Sequence, residues 1–254
     1  MEKILEGRKV TKYFGALKAV DSVDFYVNKG EILGLIGPNG AGKTTLLDLI
    51  NGMHPLSEGK IYYKNKDITH YKPYQIAELG IARTFQIVKP FPGMTVKENV
   101  LVGALFGKQK KGISMQNAIK KVDEVLKLTG LYSKRDFEVE GITIPDRKRL
   151  ELTRALAMDP EVLLLDEVMA GLNPKEIEDV ITLIHKINRE MEITILVIEH
   201  VMKAIMEISH RIMVLHHGKK IADDSPQKVV NDPRVIEAYL GERYAKKRVK
   251  NDAK

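Results

Sequence analysis

A nine-residue run, GPNGAGKTT from Gly37 to Thr45, limits the choice of folds more than any other part of the chain. A short apolar segment, Ile32 to Ile36, leads into it, and residues from Thr44 to Ile50 follow with apolar groups at helical spacing. The order is therefore strand, glycine loop, helix. Gly37, Gly42, Lys43 and Thr44 satisfy the pattern G-x-x-x-x-G-K-S/T of a phosphate-binding loop. Gly37, Gly40 and Gly42 free the backbone to turn so that successive N–H groups face an anion, with Pro38, Asn39, Ala41 and Thr45 completing the cradle. In such a loop Lys43 reaches the β- and γ-phosphates, Thr44 offers its hydroxyl to Mg²⁺, and the helix adds its positive N-terminal end.

Further apolar runs at Val162 to Leu165, Ile193 to Ile198 and Ile212 to Leu215 read as buried strands, each flanked by a helical stretch. That alternation predicts an α/β core, a parallel sheet with helices packed on it. The N-terminal part differs. Val23 to Val27 and Lys60 to Lys64 carry aromatic and β-branched residues at strand spacing, which predicts a small antiparallel β-subdomain. Between Thr95 and Ala157 the periodicity is helical, so a helical subdomain inserted at about 90–160 is expected, with Gly107 to Gly112 (GKQKKG) as an exposed loop. The resulting division is a core of 1–89 and 161–240, the helical insertion, and a basic tail at 241–254.

Charge and composition exclude several classes. Without cysteine, disulfides and thiolate metal sites are ruled out. The apolar runs fall far short of the ~20 residues needed to cross a bilayer, and MEKILEGRKV lacks the apolar centre of a signal peptide, so membrane association is expected only through a partner. Much of the net charge of +7 sits in the tail at Lys246, Lys247, Arg248 and Lys250, which reads as a solvated terminus rather than a nucleic-acid site. His216 and His217 adjoin each other at a strand end without acidic companions at metal-ligand spacing, and surface exposure is the expectation.

VLLLDE places Asp166 and Glu167 at the end of a buried strand, where open α/β sheets bind ligands. Beside a phosphate loop these acids suit two tasks: Asp166 holds Mg²⁺ through water, and Glu167 polarises the attacking water as general base.

Together these segments resemble the ABC transporter ATPases over nearly the whole chain. The resemblance implies ATP and Mg²⁺ as ligands and a P-loop NTPase core. It gives Phe14 in KYFGALKAVDSV the task of stacking on adenine, with Tyr13 as the second candidate and a partly buried ring on the β-subdomain as the plain alternative for both. Gln86 in ARTFQIVKPFPG matches the glutamine that touches Mg²⁺ and the attacking water and links core to helical subdomain. Gly171 to Pro174 (GLNP) resembles the loop that crosses the ATPase dimer, and His200 in LVIEHVM matches the histidine that contacts the γ-phosphate.

Within the family the resemblance is strongest to the ATPases of branched-chain amino-acid importers, the LivG type, through the stretch from DITHYKPYQ to NVLVGA, DEVMAGLNP and NDPRVIEAYLGE. It implies permease subunits and a second ATPase as partners, a place at the cytoplasmic face of the membrane, and no direct contact with solute or nucleic acid. Other solutes, such as urea, other amino acids or lipids, and a soluble non-transport ATPase remain alternatives. Val168 stands where most relatives have proline, a change without an account. The larger departure is the signature, usually LSGGQ, which aligns with Ile142, Thr143, Ile144, Pro145 and Asp146. Pro145 has no N–H to offer a phosphate, and Asp146 brings negative charge, although Thr143, Pro145 and Asp146 are sound residues for starting a helix. A homodimer would thus build two weak sites, and a heterodimer with an ATPase of intact signature is favoured.

Overall fold

The computed structural model describes residues 2–86, 89–108 and 113–240. The rest of the GKQKKG loop beyond Lys108, and the basic tail with Lys246, Lys247, Arg248 and Lys250, lie outside the described residues. The chain packs as two units, one formed by the described residues of 1–70 and 196–254, the other by those of 71–195.

The first unit opens with β1 (Lys3–Phe14) and β2 (Leu17–Asn28), an antiparallel hairpin closed at Gly15 and Ala16 and paired from Lys3↔Asn28 to Phe14↔Leu17. β3 (Ile32–Ile36) is buried at all five positions, as its unbroken apolar run demands. α1 (Lys43–Ile50), β4 (Glu58–Tyr63) and β5 (Lys66–Asp67) follow. The antiparallel sheet has the order β2-β1-β4-β5, so the two strands legible in the sequence do not pair with each other. β1 lies between them. It escaped notice because charged residues punctuate KILEGRKVTKYF and a positive φ at Lys9 breaks its alternation.

The second unit holds α2 (Pro73–Leu79), β6 (Ile81–Arg83), α3 (Val96–Leu105), α4 (Met115–Leu128), α5 (Ile144–Ala157), β7 (Val162–Asp166) and α6 (Pro174–Glu190). β6 runs parallel to β7, Ile81 opposite Val162 and Arg83 opposite Leu164. From 96 to 157 the described regular structure is helical, with a single isolated bridge between Thr95 and Glu138. Each long helix here begins on an oxygen side chain that accepts a backbone N–H: Thr95 from Glu98, Ser114 from Asn117, Thr143 from Asp146 and Asn173 from Glu176.

β8 (Thr194–Ile198) spans the boundary between the units. It is followed in the first unit by α7 (Met202–Ile208), β9 (Arg211–His216), β10 (Lys219–Asp224), α8 (Pro226–Val230) and α9 (Pro233–Leu240). Within that unit the strand order is β10-β9-β3-β8, with β3 parallel to β9. β10 runs antiparallel to β9, an exception to the expected parallel sheet that a tight turn at His217 and Gly218 makes possible. His216 is half-buried and His217 exposed, their rings 4.1 Å apart, and no metal-ligating cluster occurs among the described residues.

Candidate nucleotide site

The phosphate loop leaves β3 at Gly37 and enters α1 at Gly42. Both glycines are required by the backbone. Gly42 has φ +100° and a Cβ there would lie 2.3 Å from the Ala19 carbonyl oxygen; Gly37 has φ +151° and its Cβ would fall 2.1 Å from that of Leu215. The loop is fastened from two sides, since the Ala41 carbonyl accepts from Gly218 N–H at 3.0 Å and the Gly218 carbonyl accepts from Asp21 N–H at 2.8 Å. Burial raises the pKa of the Tyr239 phenol of α9, and the Gly37 N–H opposes that rise.

Lys43 is buried, its ammonium donating to the carbonyls of Gly37 at 2.7 Å and Pro38 at 3.1 Å. The cation therefore lies over the loop rather than in solvent. Asn39, Gly40 and Thr44 are exposed, Pro38 and Thr45 half-buried, and Ala41 buried. α1 begins without a side-chain cap and without an acid in its first turn. A cation over the loop, an exposed hydroxyl at Thr44 and a helix start with no carboxylate fit a polyphosphate with its magnesium.

Elsewhere in this unit, Phe14 ends β1 with 43% of its surface exposed, edge-on to His54 at 5.4 Å and beneath the Lys12 ammonium at 5.1 Å. Tyr13 is 37% exposed and lies under Lys18 at 5.3 Å. His200 is exposed just beyond β8, after buried Glu199.

In the second unit Asp166 is the last residue of β7, and its carboxylate meets Arg83 of β6 at 3.0 Å with both side chains almost fully buried. Asp166 N–H donates to the buried Thr84 hydroxyl at 3.2 Å. Glu167 follows with φ +52°, a left-handed conformation that costs a non-glycine residue on the order of 1 kcal/mol and that gathers at functional sites. The Gln86 amide donates to Glu167 Oε2 at 2.8 Å, bringing together two residues singled out from separate motifs. Gly171 and Leu172 complete a turn into α6, where Asn173 and Glu176 cap each other reciprocally.

The divergent signature starts α5. Thr143 caps the helix, and Pro145 sits in its first turn. Asp146 is turned inward, which corrects the expectation that it presents charge to a phosphate. Its Oδ2 accepts from the Thr143 hydroxyl at 2.7 Å and from Lys134 at 2.5 Å. Burial opposes the charge, and these two donors hold its pKa below the ordinary carboxylate range. Exposed at this turn are Thr143 and Ile144.

Sequence reading missed Arg83 and Glu151. Arg83 gives no local signal, because its partner is 83 positions away. Glu151 sits between Leu150 and Leu152 in the helical run RLELTRAL, but Arg149, Thr153 and Arg154 around it make it look like an ordinary exposed helix acid, so no local signal marks it. It is buried, and burial pushes its pKa up to about 7, against the opposing pull of Phe85 N–H, Arg154 and Lys148.

Residues 20–170 match the family model described as ABC transporter, more than half of the chain and all of the loop, Gln86 and the β7 acids. The chain belongs to the ABC transporter ATPases. Residues 219–245 match a second model, branched-chain amino acid ATP-binding cassette transporter. This ABC ATPase is 36% identical to the probable branched-chain amino acid transport ATP-binding protein LivG of Methanocaldococcus jannaschii, over 94% of the chain and 98% of the relative. It is 39% identical to the high-affinity LivG of Escherichia coli K12, over 90% of the chain and 94% of the relative. Among solved structures, an ATP-binding cassette of an ABC transporter in its ADP conformation superposes with a TM-score of 0.84 at 33% identity, covering 95% of this chain and all of that one. The chain is thus an ATP-binding ATPase with the α/β ABC fold. No helix among the described residues is long and apolar enough to cross a membrane.

Proposed function

We propose that this ATPase hydrolyses MgATP as the motor subunit of an importer for branched-chain amino acids, attached to the cytoplasmic face of the membrane through permease subunits. The observation that carries the hydrolytic reading is the Gln86 amide on the Glu167 carboxylate at 2.8 Å. It aims the proposed general base through the residue proposed to sense the metal. The phosphate loop with Lys43 would take the phosphates, Thr44 and, through water, Asp166 would hold the magnesium, and His200 would contact the γ-phosphate. Magnesium held there would supply neutralisation of charge on the phosphate oxygens. Glu167 orients the water for in-line attack and accepts its proton. Phe14, exposed at a strand end, offers a face for the base. Helices in the 90–160 segment carry the motion to the permease.

The passenger is proposed from the names of the relatives and from the C-terminal match at 219–245. The partner ATPase is proposed to be a different chain with an intact signature, because Pro145 in the first turn of α5 has no N–H to give. In the assembled transporter, Glu167→Gln should keep its affinity for MgATP within about threefold while turnover falls at least ~100-fold, and uptake of leucine, isoleucine or valine should fall with it. Turnover near the parent rate would remove the base assignment. Hydrolysis without uptake of any of the three would remove the passenger.

A further inference from the structure

Helix α5 does more than present the signature turn. Two side chains three positions apart on it reach the segment that carries Gln86, one on each side. Buried Glu151 accepts the Phe85 N–H on Oε1 at 2.6 Å. Arg154 donates to the Lys89 carbonyl at 2.9 Å and lays its guanidinium over the Phe91 ring at 4.7 Å. Beyond that, buried Asn99 of α3 takes the Phe91 N–H at 2.8 Å and returns its amide to the Phe91 and Thr95 carbonyls. A third α5 side chain, Lys148, donates to the Ala170 carbonyl, three residues after Glu167.

We propose that Glu151 and Arg154 are positioning residues that tie the backbone at Phe85 and at Lys89 to α5, so that a shift of this helix reaches the Gln86–Glu167 contact through Phe85. Neither side chain touches the reacting groups. Each acts through the loop it holds. The helix that begins at Thr143 then joins three features that are far apart in sequence: its own first turn, the glutamine before 87, and the turn after Glu167. A hydrogen bond to an acceptor oxygen buried in this way is directional, which suits it to transmit position rather than merely to add stability. The inference rests on the hydrolytic reading above.

The test uses Glu151→Ala, Glu151→Gln and Arg154→Ala in the full chain assembled with its partner subunits, read by steady-state kinetics with MgATP and by amide hydrogen exchange at Phe85. Glu151→Ala should lower kcat at least tenfold with KM for MgATP within twofold, and speed Phe85 exchange at least tenfold with and without nucleotide. Glu151→Gln keeps an acceptor oxygen and should stay within twofold of the parent in both readouts. Arg154→Ala should lower kcat about threefold. Parent-like kcat in Glu151→Ala, equal damage in Glu151→Gln, or KM rising in step with the loss of kcat overturns the proposal. Should Glu151→Ala fail to fold, Arg154→Ala decides, and a kcat at the parent value is then fatal. A parent transporter that hydrolyses no ATP defeats the hydrolytic reading instead, and Phe85 exchange still tells whether Glu151 holds the loop.

Discussion

Two helix starts in this chain use their N–H groups in opposite ways. α1 begins at Gly42 with no side-chain cap, no acid in its first turn and a lysine folded over the approach. α5 begins at Thr143 with a hydroxyl cap, a proline and an inward carboxylate tied to Lys134. The first leaves its donors and its positive end for a ligand. The second has committed them to its own chain. A helix terminus is therefore an anion site only when the sequence withholds the residues that would otherwise satisfy it. Good capping grammar at 143–146 is what argues against a full phosphate contact there.

The largest test of that contrast is Lys43→Ala, which removes the cation over the open terminus. MgATP affinity of the purified chain should fall ~100-fold, about 2.7 kcal/mol, by isothermal titration; a loss below fivefold would mean that the loop amides alone suffice. A smaller effect is expected from opening the closed terminus with Ile144→Gly, Pro145→Gly and Asp146→Gln together. If the turn limits catalysis in a homodimer, the ATPase rate of the isolated chain should rise about tenfold, below the ~10²–10³ that a transition-state donor can contribute. An unchanged rate would show that Thr143 and the helix end already serve.

Smallest is the effect of Asp146→Asn. A carboxylate whose folded pKa lies below its unfolded value adds stability above the unfolded pKa and loses it as pH falls through the folded one. The substitution should therefore cost about 1 kcal/mol in urea melts at pH 7, and the difference from the parent should shrink as pH falls below about 4. A difference that persists at pH 2 would show that packing, not charge, keeps Asp146 inward.

The parts legible in the sequence were those with one-dimensional signals. β3, β7, β8 and β9 are unbroken apolar runs, and the structure ends them within one or two residues of the expected places. The strand, loop and helix around Gly37 to Thr44 were legible for the same reason. β6 was not, because three residues carry no periodicity, and β1 was not, because its bulges interrupt the alternation. In the site, the end of an apolar strand pointed to Asp166 and Glu167, and the family resemblance to Gln86. The residues that hold them are written in no motif: Arg83 on Asp166 and Glu151 on Phe85 are buried pairs between distant positions, and a lone sequence does not announce pairings. The inward turn of Asp146 was hidden likewise, since Lys134 lies twelve positions away.

The fastening of the phosphate loop by Gly218 has a consequence for the order in which the protein comes into being. Gly218 bridges Ala41 on one side and Asp21 on the other, and the Leu215 carbonyl closes against Gly37. The loop residues leave the ribosome early, yet the strand turn that braces them is synthesised almost 180 residues later. During synthesis, which proceeds at ~5–20 residues per second, the GPNGAGKTT segment spends on the order of ten seconds without its brace. A nascent chain cut short before residue 218 carries the whole motif but not its support, so the capacity to grip nucleotide marks a chain whose C-terminal strands have arrived.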